Sequence, residues 1–97
     1  LSPIEFLPAA RRDLAGIFVF TTDHFGRRQA DQYVSLIAER CTDLARRHRR
    51  PRNEDAIRPG LFSYRIKAHR ASCLRGPDGH LIVVRILHEA MDFEDHL

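Results

Sequence analysis

The stretch Leu81-Ile82-Val83-Val84-Arg85-Ile86-Leu87 constrains this chain more than any other. It is β-branched or aliphatic at every position but one, short for a helix, and preceded by the turn signal Gly76-Pro77-Asp78-Gly79, which together predict a strand. Apolar side chains at both parities predict cover on both faces, hence a central strand with the other elements packed around it. Strict alternation places Ile82, Val84 and Ile86 on one face, and Leu81, Val83, Arg85 and Leu87 on the other. Beyond the strand, His88–Leu97 carries four acidic residues and no Lys or Arg, so the strand hands the chain to a small acidic tail.

The elements that cover this strand must come from upstream. Pro3–Leu7 reads as a short first strand with Ile4 and Phe6 on one face. Pro8 suits the first position of a helix, although Leu7 before it offers no side-chain acceptor as a cap. From Ala9 to about Phe25 a helical stripe runs through Leu14, Ile17, Phe18, Thr21 and Phe25, and Gly26 is a natural stop. A second helix from about Arg28 to Arg47 repeats the pattern through Ala30, Tyr33, Val34, Ile37, Cys41, Leu44 and Ala45. So short a connection predicts an antiparallel hairpin. After a loop through Pro59-Gly60, Leu61–Ala68 alternates, with Phe62, Tyr64, Ile66 and Ala68 on an apolar face and Ser63, Arg65 and Lys67 on a basic one. His69–Leu74 is a weaker strand, because Ala71, Ser72 and Cys73 give little to pack.

The expected fold is therefore α+β, in the order β-α-α-β-β-β, with an antiparallel helical hairpin packed on a mainly antiparallel twisted sheet. Ninety-seven residues, 43% of them hydrophobic, suffice for one modest core, so residues 1–97 are expected to form a single domain. Cys41 and Cys73 lack metal-ligand spacing and read as reduced, buried thiols, which suits a cytoplasmic setting. The chain opens on Leu1 rather than Met, with no signal-like segment and no apolar run long enough to cross a membrane.

Charge is unevenly spread. Residues 1–52 hold ten arginines against six acids, whereas residues 53–97 hold six cations against seven acids. Fifteen of the sixteen cations are Arg, the side chain suited to bidentate pairing with carboxylate or phosphate, which points to an anionic partner. The run Arg46-Arg47-His48-Arg49-Arg50-Pro51-Arg52 is expected to complement the dipole of the second helix, with phosphate contact as the other reading.

Arg65, Lys67, Arg85 and His69 on one sheet face would suit a phosphodiester. Nuclease chemistry also needs a proton donor and acceptor, and only His69, His88 and an inward-pointing Tyr64 offer themselves. No catalytic set is assigned. His88, Asp92 and His96 recur every four residues, but the tail is too short to preform a metal site, and neither metal nor cofactor is expected.

Phe25–Tyr33 at the helix junction, Ile57-Arg58-Pro59-Gly60-Leu61-Phe62-Ser63-Tyr64-Arg65-Ile66, and Val84-Arg85-Ile86-Leu87-His88-Glu89-Ala90-Met91-Asp92 resemble ParE toxins of the RelE/ParE superfamily. The resemblance covers nearly the whole chain. It implies a bacterial type II toxin that inhibits DNA gyrase and is neutralised by a ParD-like antitoxin. The RelE-like relatives cut mRNA on the ribosome, and an inactive member that still binds antitoxin is a third possibility. A basic face without a convincing acid–base set favours the non-nuclease branch. On this resemblance Arg58, Arg65, Lys67, Arg85, His88, Met91 and Asp92 are candidates for contact with antitoxin or target, and Leu14, Phe18, Val34 and Ile37 are candidate apolar anchors on the hairpin. Direct nucleic-acid binding is the less favoured role for the cations. Arg85 pairing within the chain, with Asp92 or Glu94, is the competing expectation.

Overall fold

In a computed structural model of the chain, which describes residues 4–46, 50–91 and 96–97, seven elements follow one another. They are β1 (Ile4–Phe6), α1 (Pro8–Phe25), α2 (Arg27–Ala45), β2 (Arg52–Asn53), β3 (Phe62–Ile66), β4 (His69–Arg75) and β5 (Leu81–His88). The sheet order is β1-β5-β4-β3-β2, with β1 parallel to β5 and every other pairing antiparallel. Both helices lie on one face, giving the expected α+β architecture. A short edge strand, β2, adds to it, because Arg52 and Asn53 pair with Ser63 and Phe62. Its two polar residues carry no strand periodicity, so only the pairing partner reveals it.

The hairpin turns on a single residue. Gly26 has φ 91°, a conformation that glycine enters without steric cost, and its N–H closes α1 on Thr22 O at 2.9 Å. Leu7 provides no side-chain cap, as its chemistry dictates, and Pro8 occupies the start of α1. Ala10 and Ile17 of α1 and Ile37, Cys41 and Leu44 of α2 then meet Ile66, Ala71, Cys73, Leu81, Val83 and Ile86 of the sheet in one core. Both cysteines are free and buried, and burial pushes the Cys41 thiol up to about 12.

Two strand expectations change. β5 is an interior strand between β1 and β4, as expected, but β4 beside it is not weak: it runs over seven residues at the middle of the sheet, with Ala71, Ser72 and Cys73 wholly buried. Small side chains are therefore the signature of close cover, not of a weak strand. On β5 the face assignment reverses partway. Ser72 pairs with Arg85 but Cys73 pairs with Val83, so Val84 is an extra residue in a β-bulge. Leu81 and Val83 before the bulge and Ile86 after it all join the helix-facing core, against the alternation that put Leu81 and Val83 opposite Ile86.

Arginine also closes the far end of α2. Arg75 donates from Nη2 to Leu44 O at 2.9 Å and from Nη1 to Gly79 O at 3.1 Å, with its guanidinium 5.7 Å above the Phe62 ring. A cation from the sheet thus meets the helix C-terminus, where the dipole favours it. Arg47–Arg49 of the basic run, which was expected to take this role, lie outside the described residues.

At the same end His80 ties β1 to the β4–β5 turn. Its Nε2 lies 3.2 Å from Glu5 Oε1 and its Nδ1 meets Asp78 Oδ1. Two acceptors require two donors, so the clasp holds an imidazolium. Hydrogen bonds donated to Asp78 and then Glu5 raise its pKa above the ordinary 6.5. Because the folded-state value is the higher, the stabilisation is complete below the unfolded imidazole value and is lost as pH rises through the folded one. NMR titration is expected to place His80 above 6.5 in the native chain, and Glu5→Gln is expected to bring it down. An unchanged titration in that variant would show that Glu5 plays no part in the clasp.

Candidate functional site: a groove between the first helix and the open sheet edge

The site begins with a mismatch in strand length. β1 covers β5 only at Leu81–Val83, so the edge of β5 beyond Val83 faces α1 without a strand beside it. An exposed N–H on such an edge needs an acceptor. Asp13 supplies it: Oδ2 accepts from Ile86 N at 2.9 Å. The same carboxylate takes a two-pronged contact from Arg85, Nε to Oδ2 at 2.8 Å and Nη2 to Oδ1 at 2.9 Å. Arg85 Nη1 adds a bond to His96 O at 3.2 Å. The carboxylate of α1 thereby replaces a missing strand and anchors the helix at a fixed distance from the sheet.

Above this anchor the helix and the sheet edge diverge into two adjoining cavities, each of about 410 Å³, within the range of ordinary ligand pockets. One lies where the helix junction meets the β3–β4 turn, lined by Phe20, Phe25, Tyr33, Leu36 and Lys67. The other follows α1 past Arg12, Gly16 and Ile17 to Arg85, Leu87 and Met91. Phe20, Thr21, His69 and His88 line both and form the waist of one groove. A Cβ built on Gly16 would meet nothing within 4 Å, so the glycine leaves the groove wall low. Val19, Phe20, Phe25 and Met91 are exposed at 58%, 60%, 62% and 47%. Phe20, Phe25 and Met91 line the groove, and large apolar side chains gathered around a concave surface mark an interaction site more firmly than scattered ones.

The predicted residues divide among three fates. Arg85 is held by Asp13 and by the carbonyl oxygen of His96, and its two suggested partners, Asp92 and Glu94, lie outside the described residues. Arg65 is tied to Glu89 at 2.9 Å and to Lys67 O at 2.9 Å. Lys67 is not on the strand face at all. β3 ends at Ile66, and Lys67 sits in the β3–β4 turn with φ 53°, facing the first cavity. The three cations therefore do not converge on one point of the sheet. Arg58 is exposed in the loop beside Pro59. His88 and Met91 do reach the groove. Of the hairpin anchors, Ile37 is wholly buried and Leu14 and Val34 pack against the core, so burial removes Ile37 from any partner surface. Phe18 is partly exposed. Among the described residues no three His, Cys, Asp or Glu side chains gather as a metal site.

Sequence reading missed Asp13, Phe20 and the pairing of Tyr33 with His69. Val19 and Phe20 fall off the apolar stripe of α1, and that misfit is the signal that points to an unfilled surface. Tyr33 Oη lies 2.6 Å from His69 Nδ1 and 3.3 Å from Ile66 O. Burial raises the Tyr33 pKa, and burial with the neighbouring His88 lowers that of His69. The contact joins residues far apart in the chain, so no local pattern announces it.

A helical hairpin on one face of a mixed sheet, with an apolar groove at the margin, defines a two-layer α+β protein built around an open surface. Residues 4–93 match the family model described as "ParE toxin of type II toxin-antitoxin system, parDE", and the chain belongs to that family. It is 33% identical over 90 residues to Toxin ParE1 of Mycobacterium tuberculosis, in strains CDC 1551 / Oshkosh and H37Rv, covering 93% of this chain and 92% of the relative. A solved structure from the chromosomal ParDE TA system of P. aeruginosa shares the fold, with TM-score 0.76 and 18% identity over 88% of this chain and 92% of that one. No helix among the described residues is long and apolar enough to cross a membrane.

Proposed function

We propose that this chain is a toxin that inhibits DNA gyrase and is held inactive by a ParD-like antitoxin seated in the α1 groove. The observation that carries the antitoxin half is the groove itself, in which Phe20, Phe25 and Met91 stand exposed beside an open strand edge. An amphipathic helix or extended segment finds apolar anchors there, with Arg12 and Lys67 at its margins for acidic side chains. The preference for a protein target over RNA cleavage is supported by the separate engagement of Arg65 and Arg85. Each is committed to a carboxylate of its own, Glu89 or Asp13, instead of converging on a phosphodiester.

The decisive measurement is supercoiling by purified gyrase with the purified toxin added. Inhibition that is relieved by the ParD-like protein encoded beside the toxin supports the reading. Unimpaired supercoiling at large toxin excess, together with ribosome-dependent cleavage of mRNA, would replace it with the interferase reading.

A further inference from the structure

We propose that His69 and His88 form the receiving site for one carboxylate of the acidic antitoxin segment, at the waist where the two cavities meet. The inference rests on the antitoxin reading above and adds to it the polar contact that sets register and couples binding to a proton.

Strand pairing places the two residues together. His69 of β4 stands opposite His88 of β5, with ring centroids 5.4 Å apart and the planes edge to face. Hydrogen bonding then engages Nδ1 of each ring. His88 Nδ1 is 3.1 Å from Ala90 N. A backbone amide only donates, so this nitrogen carries the lone pair and the neutral ring has its proton on Nε2. His69 Nδ1 lies 2.6 Å from the hydroxyl of Tyr33, whose single proton goes to Ile66 O at 3.3 Å, so Nδ1–H donates to the hydroxyl and neutral His69 keeps its lone pair on Nε2. Neither Nε2 has a hydrogen-bond partner among the described residues. The waist thus offers Nε2–H of His88 and, once His69 takes up a proton, a second N–H at His69 Nε2, one donor for each oxygen of a carboxylate.

The surroundings favour a peptide carboxylate over a phosphodiester. Phe20, Ile17, Leu36 and Met91 flank the waist with apolar surface, suited to side chains of a protein segment. The charged groups around the cluster have an excess of cations. Arg12 and Asp13 come from α1, Lys67 from the β3–β4 turn, and Arg85, Glu89 and His96 from β5 and the chain beyond it. Asp13 is neutralised by Arg85, and Glu89 by Arg65. In the free protein burial, helped by His88 and opposed by Glu89, keeps His69 below its ordinary pKa. An incoming carboxylate favours the imidazolium, so complex formation takes up a proton and strengthens as pH falls.

Calorimetric titration of the full chain with its ParD-like antitoxin, in two buffers of different ionisation enthalpy, measures that proton directly. Between about pH 8 and pH 6, uptake of up to one proton and a rise in affinity of up to about tenfold per pH unit are expected. His69→Gln, whose side-chain amide keeps a hydrogen-bond partner for Tyr33, is expected to remove the slope. In the wild-type complex the imidazole nitrogen resonances of His69 are expected to move toward the protonated form, a readout that needs no variant. Binding without proton uptake, or an unchanged slope in both His69→Gln and His88→Gln, overturns the inference while leaving the antitoxin reading intact. No binding at all removes that reading and this inference with it. A response of His69 to a short single-stranded RNA but not to the antitoxin would overturn it in favour of nucleic acid.

Discussion

Asp13→Ala is expected to lower the unfolding free energy by about 2–4 kcal/mol, the largest loss from any single surface-facing residue. The figure follows from what one carboxylate does. It accepts two hydrogen bonds from Arg85 and one from the backbone of Ile86. The side chains of Asp13 and Arg85 are only 14% and 25% exposed, so water restores little of what is lost. Removing the carboxylate leaves a partly buried guanidinium without its counter-ion and an edge N–H without an acceptor. Asp13→Asn should recover part of the loss, since the amide oxygen still accepts from Ile86. Urea denaturation gives the answer directly, and a change below about 1 kcal/mol would mean that the pair is no stronger than an ordinary exposed ion pair. Arg85 has a double consequence for function. A residue first considered for contact with a partner is chiefly the clamp that sets the groove's width, so an Arg85 variant that loses antitoxin binding must also be checked for loss of fold.

Phe20→Glu should separate the two effects. The ring is 60% exposed, so the substitution is expected to change stability by no more than about 0.5 kcal/mol. As an aromatic at the waist of the groove it has the position of a binding hot spot, where truncation costs about 2 kcal/mol or more, equivalent to about 30-fold in affinity. The variant is thus expected to unfold at the wild-type urea midpoint yet bind the antitoxin at least about 30-fold more weakly. Wild-type affinity in Phe20→Glu would move the antitoxin off this groove. Ile37→Ala offers the contrast, because a wholly buried core residue should cost about 2–5 kcal/mol of stability without acting through the partner surface.

Much of the architecture was legible because it is local. Pro8 and Gly26 bracket α1, the apolar spacing of Ala30, Ile37, Cys41 and Leu44 directs α2 inward, and the turn at Pro77–Gly79 announces β5. Even so, periodicity had two blind spots. It took Ala71, Ser72 and Cys73 for weak packing, although all three are wholly buried in the middle strand. It also carried strict alternation through Val84, where a bulge shifts the faces and places Ile86 with Val83. The family resemblance rested on the same local stretches and agrees with the family match over residues 4–93.

The groove was legible only in fragments. Phe20 lies off the stripe, His69 and His88 are separated by the whole β4–β5 hairpin, and Asp13 is more than seventy residues from the Arg85 it holds. By itself the sequence determined which segments become helix or strand, where the hairpin reverses and which side chains seek the core, because backbone dihedrals and hydrophobic spacing act over a few neighbouring residues. Only the tertiary structure decided which cations are spent on internal carboxylates and which apolar residues remain open. Those outcomes depend on strand register and on the short reach of β1 along β5, and hydrogen bonds and ion pairs form between groups that the fold, not the chain order, makes neighbours.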